Sequence, residues 1–304
     1  MYGFNIVNEE IFIMEKKELL RIFRCEANKV LKLIVNINDK KANTKTINTS
    51  IKRYADKLIN EVKNTCSDKE SLLDSILMIT YISYVVMLEY RNKLWPYNNL
   101  DFSRRIGELW EPFCKLSFEY SINHLTIIDP LEYHVVKKYI VDDMIKCVSL
   151  LDIDNDIKDK IIKSYEVPWN IIDSCDISLS LDLHFKQNNI NYNCDFKSGF
   201  NSNEKGNKNR LLQVGSIYKE LDKSEVNILF VRQSELVNNN YLKKLSESKY
   251  WDVYCGNDCY EKMKEFTGID VKEWINKNID WENDISQEFY LYLEENELLK
   301  YFLW

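Results

Sequence analysis

A chain of 304 residues with 45% hydrophobic content can fill one large core or two ordinary ones. Its 7 glycines and 4 prolines exclude long flexible linkers and favour helices. The formal charge of −7 argues against a protein that coats nucleic acid indiscriminately, but leaves room for a local basic groove, because binding follows the field at the site.

Along the chain, Met1 to Ile13 places Asn8, Glu9 and Glu10 where a secretory leader needs a basic segment and an apolar run, so the expected location is the cytoplasm. Apolar residues then recur at helical spacing over Glu9–Asn36, Asn48–Cys66 and Ser67–Asn92, the last opened by a capping box of Ser67 and Glu70. Within it the apolar run Ile76 to Leu88, bounded by Asp74 and Glu89, is too short to span a bilayer and reads as a buried core helix. Asp101–Asn123 is a further helix, which Pro112 is expected to kink or end. Asp129-Pro130 opens another to about Leu151, and a short one over Ile157–Tyr165 stops before Pro168.

The periodicity then changes from helical to alternating. Asp176–Lys186 sets Ile177, Leu179, Leu181, Leu183 and Phe185 on one face and Ser178, Ser180, Asp182, His184 and Lys186 on the other, a half-buried strand. Asn191–Gly199 alternates again after a turn at Asn188 and Asn189. A polar loop with Lys205, Lys208 and Arg210 leads to a helix from about Asn209 to Leu221. Val226–Val231 and Trp251–Cys255 read as strands. Helices over Asp258–Phe266, Val271–Asn276 and Ile285–Leu299 follow. The fold expected is α/β (α+β): a helical region over 1–100 and a mixed-sheet core with C-terminal helices over 101–304, or one continuous domain. Trp95, Trp110, Trp251 and Trp274 suit helix packing better than base stacking. The eight cysteines lack a disulfide or zinc rhythm, Cys255 and Cys259 being the closest pair, and read as reduced thiols.

Chemistry concentrates on the hairpin. With Asn188 and Asn189 as the tight turn, residues whose numbers sum to 377 face each other. Phe185 then meets Tyr192, Leu183 meets Cys194 and Leu181 meets Phe196 on the apolar face. On the other, Asp182 opposes Asp195, His184 opposes Asn193 and Ser180 opposes Lys197. Opposed carboxylates repel and call for a cation. Lys197 supplies part of it. A magnesium ion held by Asp182, Asp195 and the carbonyl of Phe196 would supply the rest, activating a water that Lys197 orients or deprotonates. His184 reads as an exposed strand histidine, with a phosphate contact as the alternative. Lys205, Lys208 and Arg210 suit a phosphate-contacting loop or a merely solvated one, Arg104 and Arg105 share that ambiguity, and Arg232 with Gln233 are candidate DNA contacts.

The pattern Asp182 … Asp195-Phe196-Lys197, within Cys194-Asp195-Phe196-Lys197-Ser198-Gly199, resembles the signature of the PD-(D/E)xK nuclease superfamily, to which most type II restriction endonucleases belong. The resemblance covers roughly Arg105 to Gly256. It implies a restriction-endonuclease-like core and a Mg²⁺-dependent phosphodiesterase that cuts double-stranded DNA at a specific site, usually as a homodimer and alongside a methyltransferase acting on the same sequence. Gly107-Glu108-Leu109-Trp110-Glu111 is similar to the family's auxiliary glutamate motif and suggests Glu111 as a further ligand or water positioner, with Glu108 as its rival because Pro112 follows. A structure-specific repair or recombination nuclease and a non-catalytic helical binding protein are the competing expectations.

Overall fold

The computed structural model describes residues 15–34, 38–171, 178–200, 205–221, 224–238, 240–302 and 304. They form two compact units, Met1–Ile122 with Ile269–Trp304, and Asn123–Gly268. The first unit opens with α1 (Lys16–Ile34), α2 (Lys40–Thr65), α3 (Lys69–Leu94) and α4 (Asn99–Glu119). Side-chain caps fix three of these starts: Asp39 accepts from the Ala42 N–H, Asp68 from Ser71 and Asn98 from Asp101. The cap of α3 is therefore Asp68, one residue beyond the Ser67 of the expected capping box. α3 is apolar on nearly all sides and correspondingly buried. At 26 residues it is longer than its apolar run, and by length and composition alone it could cross a membrane; 67% of its most apolar window is buried inside the fold. Glu89 on this helix, 1% exposed, takes two hydrogen bonds from Arg24 of α1 at 3.0 and 2.6 Å.

α4 runs through Pro112 instead of ending there. Proline in a helix interior costs about 3 kcal/mol. Burying Phe102, Ile106, Leu109 and Trp110 before it and Phe113, Cys114 and Phe118 after it outweighs that cost.

The second unit contains β1 (Thr126–Ile127), α5 (Tyr133–Ser149), α6 (Asn155–Ile171), β2 (Leu183–Gln187), β3 (Ile190–Lys197), α7 (Lys205–Leu221), β4 (Glu225–Val231), α8 (Asn240–Ser246), β5 (Asp252–Cys255) and α9 (Asn257–Thr267). The strands lie in the order β1-β2-β3-β4-β5, the first two pairings antiparallel and the last two parallel. α6 continues past Pro168, with Tyr165 and Trp169 packed against the sheet core on either side of it. The β2–β3 turn is Asn188-Asn189, both left-handed at φ 50° and 62°, the conformation that asparagine tolerates best after glycine. It sets the expected register: Leu183 pairs with Cys194, His184 with Asn193 and Phe185 with Tyr192.

β2 is shorter than the alternation suggests. Of the expected strand, 176 and 177 lie outside the described residues, and 178–182 are not strand. The Leu181 N–H donates to Nε2 of His184 at 2.9 Å, which turns the chain out of the ladder. Leu179 and Leu181 consequently pack with Leu211, Tyr218 and Leu229, and Leu181 does not join Phe196, which packs on Phe230. The chain then returns to the first unit with α10 (Val271–Asn278), α11 (Trp281–Asp284) and α12 (Gln287–Glu295). The expected helix over Ile285–Leu299 is confined to α12, which Ser286 caps. Asp284 of α11 accepts from Tyr81 of α3 at 2.7 Å, tying this tail to the N-terminal helices. α4 and the tail, grouped with the sheet when read as sequence, thus cluster with the N-terminal helices.

Candidate metal centre

Alternation along β3 places Asn193, Asp195 and Lys197 on one face of the sheet. Their register partners on β4 are Asn227, Leu229 and Val231. Leu229 and Val231 share a core with Leu211 and Val214 of α7, so α7 covers this face. Asp195 is 0% exposed. A carboxylate so placed must be compensated, and cations from two elements meet it. Its Oδ1 pairs with the ammonium of Lys197. Its Oδ2 accepts from the Arg210 guanidinium at 3.1 Å.

Asp182 stands just before β2, outside the strand ladder, so it is not a ladder partner of Asp195. It couples to β3 through its side chain: Oδ2 accepts from the Phe196 N–H at 2.8 Å and lies 3.6 Å from Lys197 Nζ. Lys197 Nζ also donates to the Phe196 carbonyl at 3.0 Å. Oxygens of Asp182, Asp195 and Phe196 therefore converge on one positive group. These are hard oxygen donors around a single cation, the set a magnesium-type ion prefers. Among the described residues no cluster of three or more His, Cys, Asp or Glu side chains forms, so the acidic donors here are these two aspartates.

Burial pushes the Asp195 carboxyl up to about 6; Lys197 opposes the rise, the Asp182 charge adds to it and Arg210 opposes it. A site that protonates this readily changes its cation affinity with pH.

The remaining candidate residues fall in several places. Lys205, Lys208 and Arg210 lie on α7 and not in a loop, because the helix starts four residues earlier than its apolar pattern indicates. Lys205 is exposed, Lys208 sits 5.8 Å from the Tyr241 ring, and Arg210 turns to Asp195 and to the Ser180 carbonyl. Arg232 follows β4 and donates twice to Ser198 Oγ, at 3.1 and 2.6 Å, bracing the end of β3. Glu111 and Glu108 lie on α4 in the helical unit. Glu111 pairs with Lys115 at 2.7 Å, and Glu108 with Arg104 and Arg105 at 3.4 and 3.5 Å.

His184 is buried, not exposed as its place in the alternation suggests, and it starts a directed hydrogen-bond chain. Its Nε2 accepts from Leu181, so Nδ1 carries the proton and donates to Asn193 Oδ1 at 2.8 Å. Asn193 donates to Glu225 at 2.7 Å and to Asn227 at 3.3 Å, and Asn227 donates to the carbonyls of Gly215 and Tyr250. Burial lowers the imidazole pKa, which keeps the ring neutral. The sequence signal for this hydrogen-bond chain is two asparagines, Asn193 and Asn227, inside strands and flanked on both sides by apolar neighbours. Comparison with family models, with curated proteins and with solved structures gives no match for this chain.

Proposed function

We propose that this chain is a divalent-metal-dependent phosphodiesterase of the PD-(D/E)xK kind that its Asp182 … Asp195-Phe196-Lys197 pattern resembles, and within that kind a site-specific, restriction-type endonuclease acting on double-stranded DNA. The observation that carries the reading is the convergence of two carboxylates and the Phe196 carbonyl on the Lys197 ammonium. The succession of hairpin, α7 and parallel β4 supports it, being the core order the resemblance implies.

In this reading Asp182, Asp195 and the Phe196 carbonyl would hold Mg²⁺. When bound, the ion supplies a Lewis acid and lowers the pKa of a water beside it. Lys197 gives up its carboxylate contacts and uses Nζ to orient the attacking water or to stabilise charge on the phosphate. Arg210 keeps Asp195 ionised and fixes its orientation. Cutting both strands implies a homodimer, and a cytoplasmic enzyme of this type works beside a methyltransferase that protects the same site.

Incubation with a sequenced plasmid and Mg²⁺, followed by sequencing of fragment ends, tests the proposal. Discrete fragments with constant ends, abolished by a chelator and by Asp195→Ala or Lys197→Ala while DNA binding persists, are expected. Undiminished cutting by both variants rules the site out. Cutting of branched DNA alone would replace restriction by a structure-specific activity.

A further inference from the structure

The charge of this chain is segregated. Residues 15–65 hold 13 of its 41 Lys and Arg against 6 of its 48 Asp and Glu, leaving 28 against 42 elsewhere. A lysine-rich composition alone would spread its cations through the chain.

We propose that the exposed face of α2 is a docking surface for the phosphate backbone of duplex DNA, the choice of DNA resting on the nuclease reading above. At roughly 100° per residue, Lys41, Lys45, Lys52 and Lys63 fall within about 40° of one another on the helix. All four are exposed. Lys41, Lys45 and Lys52 form no ion pair among the described residues, and Lys63 lies 5.3 Å from the Tyr120 ring. Of the two acids on α2, Glu61 lies 3.7 Å from Lys57, and Asp56 shares the stripe. Exposed Thr46, Thr49, Asn60 and Asn64 add neutral donors of the kind that bind phosphate oxygens.

The stripe spans about 33 Å at a rise of 1.5 Å per residue, close to the roughly 34 Å of one duplex turn. A membrane surface fits less well. An interfacial helix needs an apolar face to bury in lipid, and that of α2, with Ile47, Ile51, Ala55 and Leu58, is already buried in the bundle. No large hydrophobic residue is exposed on α2.

The test uses the full chain, a fluorescent duplex and anisotropy in EDTA, with salt varied between about 50 and 200 mM. Lys41→Glu with Lys45→Glu and Lys52→Glu is expected to weaken binding at least ~10-fold and to flatten the log–log salt slope by about 3, at ~0.9 per phosphate contact. The triple Gln variant should move the same way by less, with an unchanged helical signal. A charge-matched control, Lys138→Glu with Lys160→Glu and Lys244→Glu, should keep the wild-type slope. Wild-type affinity and slope in both α2 variants overturn the proposal. So does loss of binding to phosphatidylserine–phosphatidylcholine vesicles with duplex binding untouched. Because EDTA silences cutting, binding through α2 without any cleavage in Mg²⁺ would reject the nuclease reading alone, and cleavage with α2-independent binding would reject this surface alone.

Discussion

Arg210 on α7 donates to Asp195 on β3 at 3.1 Å, so a fully buried carboxylate is held from the following helix as well as by Lys197 of its own strand. Two cations restrain the rise that burial imposes on this acid without cancelling it.

That residual rise has a sign in stability. The folded-state value of about 6 lies above the ordinary carboxylate range near ~4, so folding favours the protonated acid. The resulting stability is present below about pH 4 and is lost as pH climbs through 6, by about 3 kcal/mol in all. Asp195→Asn should abolish this slope and make the metal-free protein more stable at pH 7 than wild type. Urea melts at a series of pH values check it; parallel curves for the two proteins would contradict it.

Lys197 competes with any cation for the same oxygens. Lys197→Ala should therefore bind Mn²⁺ about tenfold more tightly, equivalent to ~1.4 kcal/mol, while cleavage disappears. Calorimetry and a plasmid assay separate the two effects. Weaker Mn²⁺ binding in this variant would mean that the lysine supports the site instead of occupying it.

The His184 chain makes an opposite pH prediction. With its pKa lowered by burial, the imidazole contributes stability above the ordinary value near ~6.5 that is lost as pH falls through the depressed one. His184→Ala strands the Leu181 N–H and Asn193 Oδ1, at about 1–3 kcal/mol for a buried unsatisfied group. Nitrogen NMR should show the proton on Nδ1, and an Nε2–H tautomer would break the assigned direction of the chain.

Two glycines on α7 should respond with opposite signs. A Cβ at Gly215 would stand 2.3 Å from Nε1 of Trp251, which donates to the Leu211 carbonyl at 2.8 Å. Gly215→Ala should cost about 1–3 kcal/mol through overpacking. Gly206 has nothing within 4 Å of an added Cβ among the described residues, so Gly206→Ala should gain about 0.5–1 kcal/mol. Thermal melts of both variants decide, and equal shifts would refute the close Trp251 contact.

The hairpin was legible because two adjacent asparagines able to adopt left-handed backbone leave a single register for the alternating residues on either side. The register alone did not place Asp182, which lies outside the ladder and reaches β3 through its side chain. His184 was misread because alternating polar residues look identical whether water or α7 covers them. Only the fold reveals that Asn193, Asn227 and Glu225 satisfy one another there. Arg210 could not be assigned to Asp195 from spacing, since the helix start that aims it lies outside the apolar pattern. β1, at two residues, is too short to carry any periodicity.

The ammonium of Lys197 resting among three oxygens makes the chain its own counter-ion. Proteins that depend on an external ion to neutralise a buried acidic nest unfold when it is stripped away. In the proposed metal-dependent reading, maturation and loading are therefore uncoupled. On that reading the polypeptide can reach its native shape in a metal-poor setting, and a chelator should silence it without melting it.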